Sequence, residues 1–246
     1  MKWRGTVIKK FILILLIFLP IFTSAGNENM VLSINAYRDG FYSMSLKYAS
    51  KYLEDPASDQ GRGKYMVGLC QFKMKKYDAA LITFNSILID HPGFENKDKV
   101  LLYSAIVNYY RKDMKKVFST LNELKTGNLA PDAFYYSALF HNLQGDDEAA
   151  VGEYTKLIKK YLESSKWDAA NLELAELYKK QGRFDLEDRL IRAYLHRTPD
   201  GKYADKMRFL LAFLLYETGE YDEGLEIFAQ LAKKDFLLGE TYYFIG

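Results

Sequence analysis

Few residues of this chain have the types and spacing that catalysis or metal binding requires. Its three histidines are His91, His141 and His196, and no His-x-x-His or Glu-x-x-His pair would place two ligands on one helix face. The single cysteine, Cys70, follows a glycine and a leucine, a setting that favours an inert, buried thiol. The chain has no Gly-x-Ser-x-Gly motif and no phosphate-binding glycine loop. We therefore predict a protein that is not an enzyme and that has no metal and no cofactor.

Charged residues form short groups along the chain. The acidic pairs Asp146–Asp147 and Asp222–Glu223 lie where helices are expected to begin, and there each acid complements the helix dipole by roughly 0.3–1 kcal/mol. Lysines cluster near expected helix ends, at 73–76, 115–116, 159–160, 179–180 and 233–234. Because lysine is ordinary in a last helical turn, we expect solvated charge. The alternative is a weak attraction to anionic glycans or to lipid headgroups.

Aromatic side chains are the more informative group. They make up 15% of the chain, and 20 of them are tyrosines. Large, rigid rings offer contact area with little rotamer entropy to lose, which suits recognition of a peptide or a helix. The elements that would position these rings follow from a repeat in the sequence.

Several segments repeat one pattern, as in KKYDAALITF (75–84) and GEYDEGLEIF (219–228). Anchored on one position, the copies lie at Tyr42, Tyr77, Met114, Asp147, Phe184 and Tyr221. Their spacings are 35, 37, 33, 37 and 37 residues. A period in the middle thirties is typical of a solenoid of paired helices, whereas an irregular helical bundle has no reason to repeat at a fixed period.

Each copy contains two helical halves. In the second half Ala80, Phe84 and Ile87 fall at i, i+4 and i+7, which places them along one helix stripe. Twelve positions before that alanine the first half carries a small residue in every copy: Gly68, Ala105, Ala138, Ala175 and Ala212. Small residues at matched positions allow the two helices to approach closely. The turn between the halves holds Gly145, Gly182 and Gly219, and Pro92 and Pro199 follow second helices.

These features resemble the tetratricopeptide repeat family. The segment YMVGLCQFKMKKYDAALITFNSILIDHP (65–92) matches the family pattern best, and the resemblance spans about residues 37–246. The leading Trp of the family is missing, and four copies replace the second-helix alanine by Ser45, Val117, Glu187 and Gly224. The resemblance implies an all-α fold, a right-handed superhelical solenoid of helix-turn-helix repeats. It would contain about five to six repeats, the last one truncated.

In that family the first helix of each pair lines a concave groove that binds peptides. The matching groove residues here are Tyr65, Phe72, Lys73, Tyr109, Tyr110, Tyr135, Asn142, Lys179, Lys180, Phe209 and Tyr216. Four deeper positions either line the groove or pack between repeats: Leu69, Ile106, Leu139 and Phe213. The same two roles are open to the tyrosines at 109, 110, 135 and 216. The family's Asn and Lys pattern for clamping a terminal carboxylate is not reproduced, so a chaperone C-terminus is not the expected ligand.

The N-terminus has the order of a secretory signal peptide. A basic segment is followed by FILILLIFLPIF (11–22) and by the small residues TSA (23–25), so we predict a signal peptide over 1–25 with cleavage near Ala25. The protein would then be periplasmic or secreted. The alternative is an uncleaved inner-membrane anchor, although Pro20 interrupts a run that is shorter than the roughly 20 residues of a membrane span.

After the signal peptide we predict a short lead-in over 26–36 and the repeat array over 37–246. Four of the 34 basic residues and none of the 32 acidic ones lie in residues 1–25, so the remainder has a net charge of −2. Nucleic acid is therefore not an expected partner. The last segment, DFLLGETYYFIG (235–246), resembles the first helix of a further repeat with apolar residues on most sides. We expect the protein to continue past Gly246, or this end to dock on a partner.

The opening repeats also resemble two groups of envelope proteins. The segment DGFYSMSLKYASKYLEDP (39–56) and the following GRGKYMVGLCQF are similar to the cell-division coordinator associated with the Tol–Pal system and to the repeat lipoprotein of the outer-membrane barrel assembly machine. The lipoprotein's anchoring cysteine and the coordinator's coiled coil have no counterpart in this sequence. The resemblance implies a periplasmic, non-enzymatic scaffold that binds a peptide or protein partner in cell-envelope assembly or division. Two other functions stay open: the recognition arm of a longer envelope enzyme continuing past residue 246, and a module that binds peptidoglycan or a membrane surface.

Overall fold

The computed structural model describes residues 25–234, and within them the chain forms twelve helices and no strand. The helices are α1 Ala25–Arg38, α2 Tyr42–Leu53, α3 Gln60–Lys73, α4 Tyr77–Asp90, α5 Lys97–Tyr110, α6 Met114–Leu124, α7 Ala130–Leu143, α8 Asp147–Lys160, α9 Trp167–Lys180, α10 Phe184–Arg197, α11 Ala204–Thr218 and α12 Tyr221–Ala232. Residues 1–24 of the predicted signal peptide and the predicted helix over 235–246 lie outside the described residues. None of the twelve helices is long and apolar enough to cross a bilayer.

The chain divides into two compact units, an N-terminal unit that ends at Thr120 and a C-terminal unit that begins at Leu121. In the N-terminal unit each helix from α1 to α4 packs against the next. In the C-terminal unit the same holds from α7 to α12. Because these helices rest mainly on their neighbours in sequence, the architecture is the all-α repeat fold that the period predicts.

The first helix pair begins earlier than the predicted start at residue 37. The segment expected to be a lead-in, 26–36, belongs to α1, which packs against α2. Met30 and Ser33 are fully buried, and the Ser33 hydroxyl donates to the carbonyl of Ser45 on α2 at 2.9 Å. The array therefore starts with α1 and α2 as a complete pair.

Close helix approach at the matched small positions is confirmed. Ala105, Ala138, Ala175 and Ala212 are fully buried. At Gly68 on α3, an added Cβ would lie 2.5 Å from the ring of Phe84 on α4. The stripe residues of α4 are also fully buried, so the large groups of the second helix fill the space beside the small groups of the first.

The turn after each first helix has one backbone form throughout the described chain. The residue two positions before each second helix has a positive φ; these residues are Gly40, Lys75, Lys112, Gly145, Gly182 and Gly219. The next residue donates a backbone hydrogen bond across the turn, as from Lys76 to the carbonyl of Gln71 at 2.8 Å. This is a Schellman-type helix end, which favours glycine. Lys75 and Lys112 adopt the same conformation at φ of 60° and 63° without being glycine.

Two smaller expectations are also confirmed. Pro92 and Pro199 lie two residues beyond the ends of α4 and α10. Cys70 is buried, its thiol lies 3.1 Å from the Ser45 hydroxyl, and burial raises its pKa above the ordinary value. A buried thiol with a raised pKa is a poor nucleophile.

Candidate peptide-binding surfaces

Three of the five predicted groove residues of the N-terminal unit belong to a cluster of aromatic rings on α3, α4 and α5. We call Tyr65, Phe72, Tyr77, Tyr103 and Tyr110 the aromatic cluster. Phe72 lies at its centre, with ring centroids 5.9 Å from Tyr103 and 6.0 Å from Tyr110. Tyr77 and Tyr110 stack face to face at 4.8 Å with an angle of 4° between the rings. Ring contacts on several sides hold each member in place.

Exposure differs across the predicted residues of this unit. Tyr65 packs against the core beside Phe84 and Phe94, and burial raises the pKa of its phenol well above the ordinary value. Tyr110 is 51% exposed, Lys73 is exposed, and Tyr109 is half-buried with its ring edge-on to Tyr110. The aromatic cluster is therefore exposed to solvent at its α5 end.

Two of the four deeper positions pack between repeats and do not line the groove. Leu69 and Ile106 are each only 7% exposed and lie in the hydrophobic core. Leu139 and Phe213, in the C-terminal unit, stay half-buried. The first helix thus alternates between residues that fill the repeat interface and residues that reach its surface.

In the C-terminal unit the predicted residues of α7 carry both aromatic and polar groups. Tyr135 lies between Tyr136, at 5.6 Å, and Tyr154, at 5.8 Å. The ammonium of Lys166 lies 5.2 Å from the centroid of the Tyr135 ring. Burial, with a contribution from Glu173, raises the pKa of Tyr135 to about 12. Asn142 is half-buried near the end of α7.

The remaining predicted residues of this unit lie on α9 and α11. Lys180 points toward α8, where it pairs with Asp147 at 2.7 Å. The Lys179 ammonium lies 3.6 Å from the centroid of the Phe213 ring on α11. Tyr216 is 38% exposed, and Phe209 is half-buried with its ring against Phe228. Lys179, Lys180 and Tyr216 all lie on first helices. The Lys179 side chain contacts the next first helix, α11, whereas the Lys180 side chain pairs with the second helix α8.

Sequence reasoning noted Glu187 only as a departure from alanine and missed its chemistry. It is 1% exposed on α10, and burial raises the pKa of its carboxyl to about 7, although nearby Lys179 opposes the shift. Burial also raises the pKa of Glu173 on α9, against the effect of Lys206. The sequence did contain a signal: Glu187 is charged, whereas the matching position of the other copies holds a small or apolar residue.

Neither a metal site nor a closed ligand pocket accompanies these surfaces. Within residues 25–234 no group of three or more His, Cys, Asp or Glu side chains could hold a metal ion. A cleft of about 470 Å³ between α10 and α11 is open to solvent, and two arginines line it. Arg192 is paired with Asp188 at 2.7 Å and with Glu223 at 3.1 Å, and Arg189 donates to the carbonyl of Asp185 at 3.0 Å.

Comparison with known families identifies three of the helix pairs. A family model described as tetratricopeptide repeat matches residues 64–93, 132–164 and 207–235. These ranges correspond to the pairs α3–α4, α7–α8 and α11–α12. The chain carries tetratricopeptide repeats. No curated protein sequence matches it.

Solved structures of tetratricopeptide proteins share this fold at low sequence identity. A repeat protein from Parabacteroides merdae is 18% identical over 85% of this chain and 79% of its own, with a TM-score of 0.58. PilF of Pseudomonas aeruginosa is 16% identical over 85% and 91%, with a TM-score of 0.62. PilW, a widely conserved type IV pilus biogenesis factor, is 14% identical over 85% and 93%, with a TM-score of 0.63. At these identities the likeness establishes the fold, and the narrower resemblance to Tol–Pal and barrel-assembly proteins stays a prediction.

Proposed function

We propose that the protein is an exported, non-enzymatic scaffold whose first helices bind a peptide or protein of the cell envelope during envelope assembly. The observation that carries this proposal is the exposed end of the aromatic cluster. Tyr110 is half-exposed, yet its ring is held by stacking on Tyr77 and by contact with Phe72. A partner that covers it gains apolar contact without ordering a mobile side chain.

The free energy gained by covering such rings is large enough for a micromolar complex with a peptide. Covering the exposed half of one tyrosine removes about 100 Å² from water, which contributes about 2–3 kcal/mol. A micromolar complex requires about −8 kcal/mol in total. A few such rings, with hydrogen bonds to the peptide backbone, therefore account for micromolar binding.

Export to the envelope is supported by the N-terminal sequence. The basic, apolar and small segments of residues 1–25 have the order of a signal peptide. One structural neighbour, PilW, also supports a role in assembling an envelope structure, since it is described as a type IV pilus biogenesis factor. Fractionation followed by mass spectrometry of the N-terminus tests export. A periplasmic protein that begins near residue 26 is expected, and an intact N-terminus in the cytoplasm would contradict it.

Site-specific photo-crosslinking tests the binding surface. A photoreactive residue is introduced at Tyr110 or at Tyr216 in cells with a native envelope, and the attached proteins are identified by mass spectrometry. The matched control is Asn85, an exposed residue on the second helix α4. The proposal predicts one envelope protein attached from the two tyrosine positions and not from Asn85. Equal attachment from all three positions would contradict it.

The lysine clusters give less support to a glycan-binding or membrane-surface role. Three of their members form short ion pairs: Lys116 with Asp113 at 3.1 Å, Lys180 with Asp147 at 2.7 Å and Lys234 with Asp205 at 2.9 Å. Each pair reduces the positive potential that an anionic surface would meet. We therefore do not propose that role as a second function.

A further inference from the structure

The C-terminal unit buries a carboxylate that no other side chain hydrogen-bonds. Glu187 on α10 is 1% exposed, and within residues 25–234 neither of its oxygens has a hydrogen-bond partner. The matching position of the other copies holds Ser45, Ala80, Val117, Ala150 or Gly224. Because transferring an unpaired carboxylate from water into a protein interior is unfavourable, this residue weakens the fold at a position where a small residue would serve.

The buried carboxylate is surrounded by charged groups from the two adjacent first helices. Those that act on Glu187 are Lys179 and Glu176 of α9 and Glu217 of α11, with Asp188 next to it on α10. We call Glu176, Lys179, Glu187 and Glu217 the acidic pocket. It contains three acids and one base, and Glu217 is exposed at its edge. Lys206 of α11 lies 3.5 Å from Glu176 and offsets part of this negative charge, so the acids outnumber the nearby bases by one. A cation is therefore attracted to this place, and an anion is repelled.

The only base of the acidic pocket is directed to an aromatic ring. The Lys179 ammonium lies 3.6 Å from the centroid of the Phe213 ring, and it makes no hydrogen bond with Glu187. Cations bind favourably over aromatic faces, and arginine does so most often. The Phe213 ring thus already holds a cation beside a carboxylate that lacks a partner.

We propose that the acidic pocket is a subsite for one cationic side chain, arginine or lysine, of the bound peptide, which enters where the Lys179 ammonium now lies. The proposal rests on the proposed function, because it specifies the chemistry of the partner at the same first-helix surface. Arginine is the better ligand, since its planar guanidinium can donate two parallel hydrogen bonds to the Glu187 carboxylate while stacking on Phe213. In the free protein Lys179 acts as an internal substitute for that side chain.

The subsite makes opposite predictions for two substitutions. Glu187→Gln removes the buried charge but keeps the shape of the side chain, so it should weaken binding of a cationic peptide. Lys179→Ala removes the competing ammonium, so it should strengthen binding of the same peptide. Glu217→Gln changes an exposed acid of the pocket and leaves the packed interior untouched. Glu163→Gln is the matched control, because Glu163 has 92% of its side chain exposed and pairs only with Arg197 at 2.8 Å.

Selection from a phage-displayed library of random dodecapeptides tests the subsite. The most enriched peptide is then synthesised with its arginine, with lysine, and with citrulline, which has the shape of arginine but no charge. Fluorescence anisotropy gives the Kd of each peptide for the full-length protein and its four variants, and circular dichroism at 222 nm verifies that every variant is folded.

We expect enrichment of arginine or lysine at one position and at least tenfold weaker binding of the citrulline peptide. With Glu187→Gln or Glu217→Gln, the difference in Kd between the arginine and citrulline peptides should fall to less than threefold. Lys179→Ala should tighten binding of the arginine peptide about threefold, and Glu163→Gln should leave every Kd unchanged. Selected peptides without a cationic position, or unchanged discrimination by Glu187→Gln and Glu217→Gln, would overturn the subsite and leave the proposed function standing. Failure to select any peptide would overturn both.

Discussion

Replacing Glu187 by glutamine should stabilise the protein at neutral pH and change its stability little at pH 5. In the folded chain the carboxyl is buried without a hydrogen-bond partner, and burial raises its pKa from 4.5 to about 7. The charged groups that face it are Lys179 and Glu176 from α9, Glu217 from α11 and Asp188 beside it. Of these only Lys179 favours the ionised form.

The sign and the size of the effect follow from the raised pKa. Between pH 4.5 and about 7 the folded protein keeps the proton of Glu187 while the unfolded chain releases it, so stability falls as the pH rises through this interval. One pK unit corresponds to about 1.4 kcal/mol, so over the rise from 4.5 to about 7 the wild type loses roughly 3–4 kcal/mol that the glutamine variant retains. For a chain of this length, 1 kcal/mol shifts the Tm by roughly 2–4 °C.

Thermal unfolding of the wild type and of Glu187→Gln from pH 4.5 to pH 8 measures the difference. The variant should melt within about 2 °C of the wild type at pH 4.5 and roughly 7–14 °C above it at pH 8. Other titrating groups are common to both proteins and cancel in the difference, and Glu163→Gln supplies the exposed control. A Tm difference that is independent of pH would refute the reasoning, because the carboxyl would then titrate alike in the folded and unfolded states.

Four further substitutions test the packing and the turns by urea unfolding. Gly68→Ala should lower the free energy of unfolding by about 1–3 kcal/mol, because the added Cβ would lie 2.5 Å from the Phe84 ring; an unchanged value would mean that the ring moves freely. Lys75→Gly should raise it by about 1 kcal/mol because φ is 60°, whereas Lys76→Gly, at φ of −85°, should lower it. Ser45→Ala should lower it by about 1 kcal/mol, since Ser45 donates to the Ser33 carbonyl at 2.8 Å and accepts from Cys70 at 3.1 Å; no change would show that these buried hydroxyls contribute nothing.

The repeat fold was predictable because its determinants are local and periodic. A small residue such as Ala105 and a stripe such as Ala80, Phe84 and Ile87 recur at fixed spacing, and both are fully buried. The helix α1 was not predicted because its small residue is a serine: Ser33 lies twelve positions before Ser45, and the two form a buried hydrogen-bonded pair. The positive φ of Lys75 and Lys112 was not predicted, because glycine is the residue type that indicates this conformation and neither position holds one.

The candidate surface was only partly predictable from position. Counting along the repeat selects the first helix of each pair, but it does not distinguish Tyr65, which packs on the core, from Tyr110, which is half-exposed. That difference depends on which neighbouring rings cover each residue. The acidic pocket was not predicted at all, because it joins side chains of three consecutive helices whose relative orientation the sequence pattern does not give, and because the burial of Glu187 is seen only in the structure.

The most direct test of binding by the first helices uses the envelope protein captured by crosslinking. Its affinity is measured for the wild type, for Tyr110→Ser and for the control Asn85→Ser, with circular dichroism confirming the helical content of each. Loss of the exposed aromatic face should weaken the complex about tenfold or more, while Asn85→Ser leaves it unchanged. Equal affinity of all three proteins would contradict the assignment of the aromatic cluster as the binding surface.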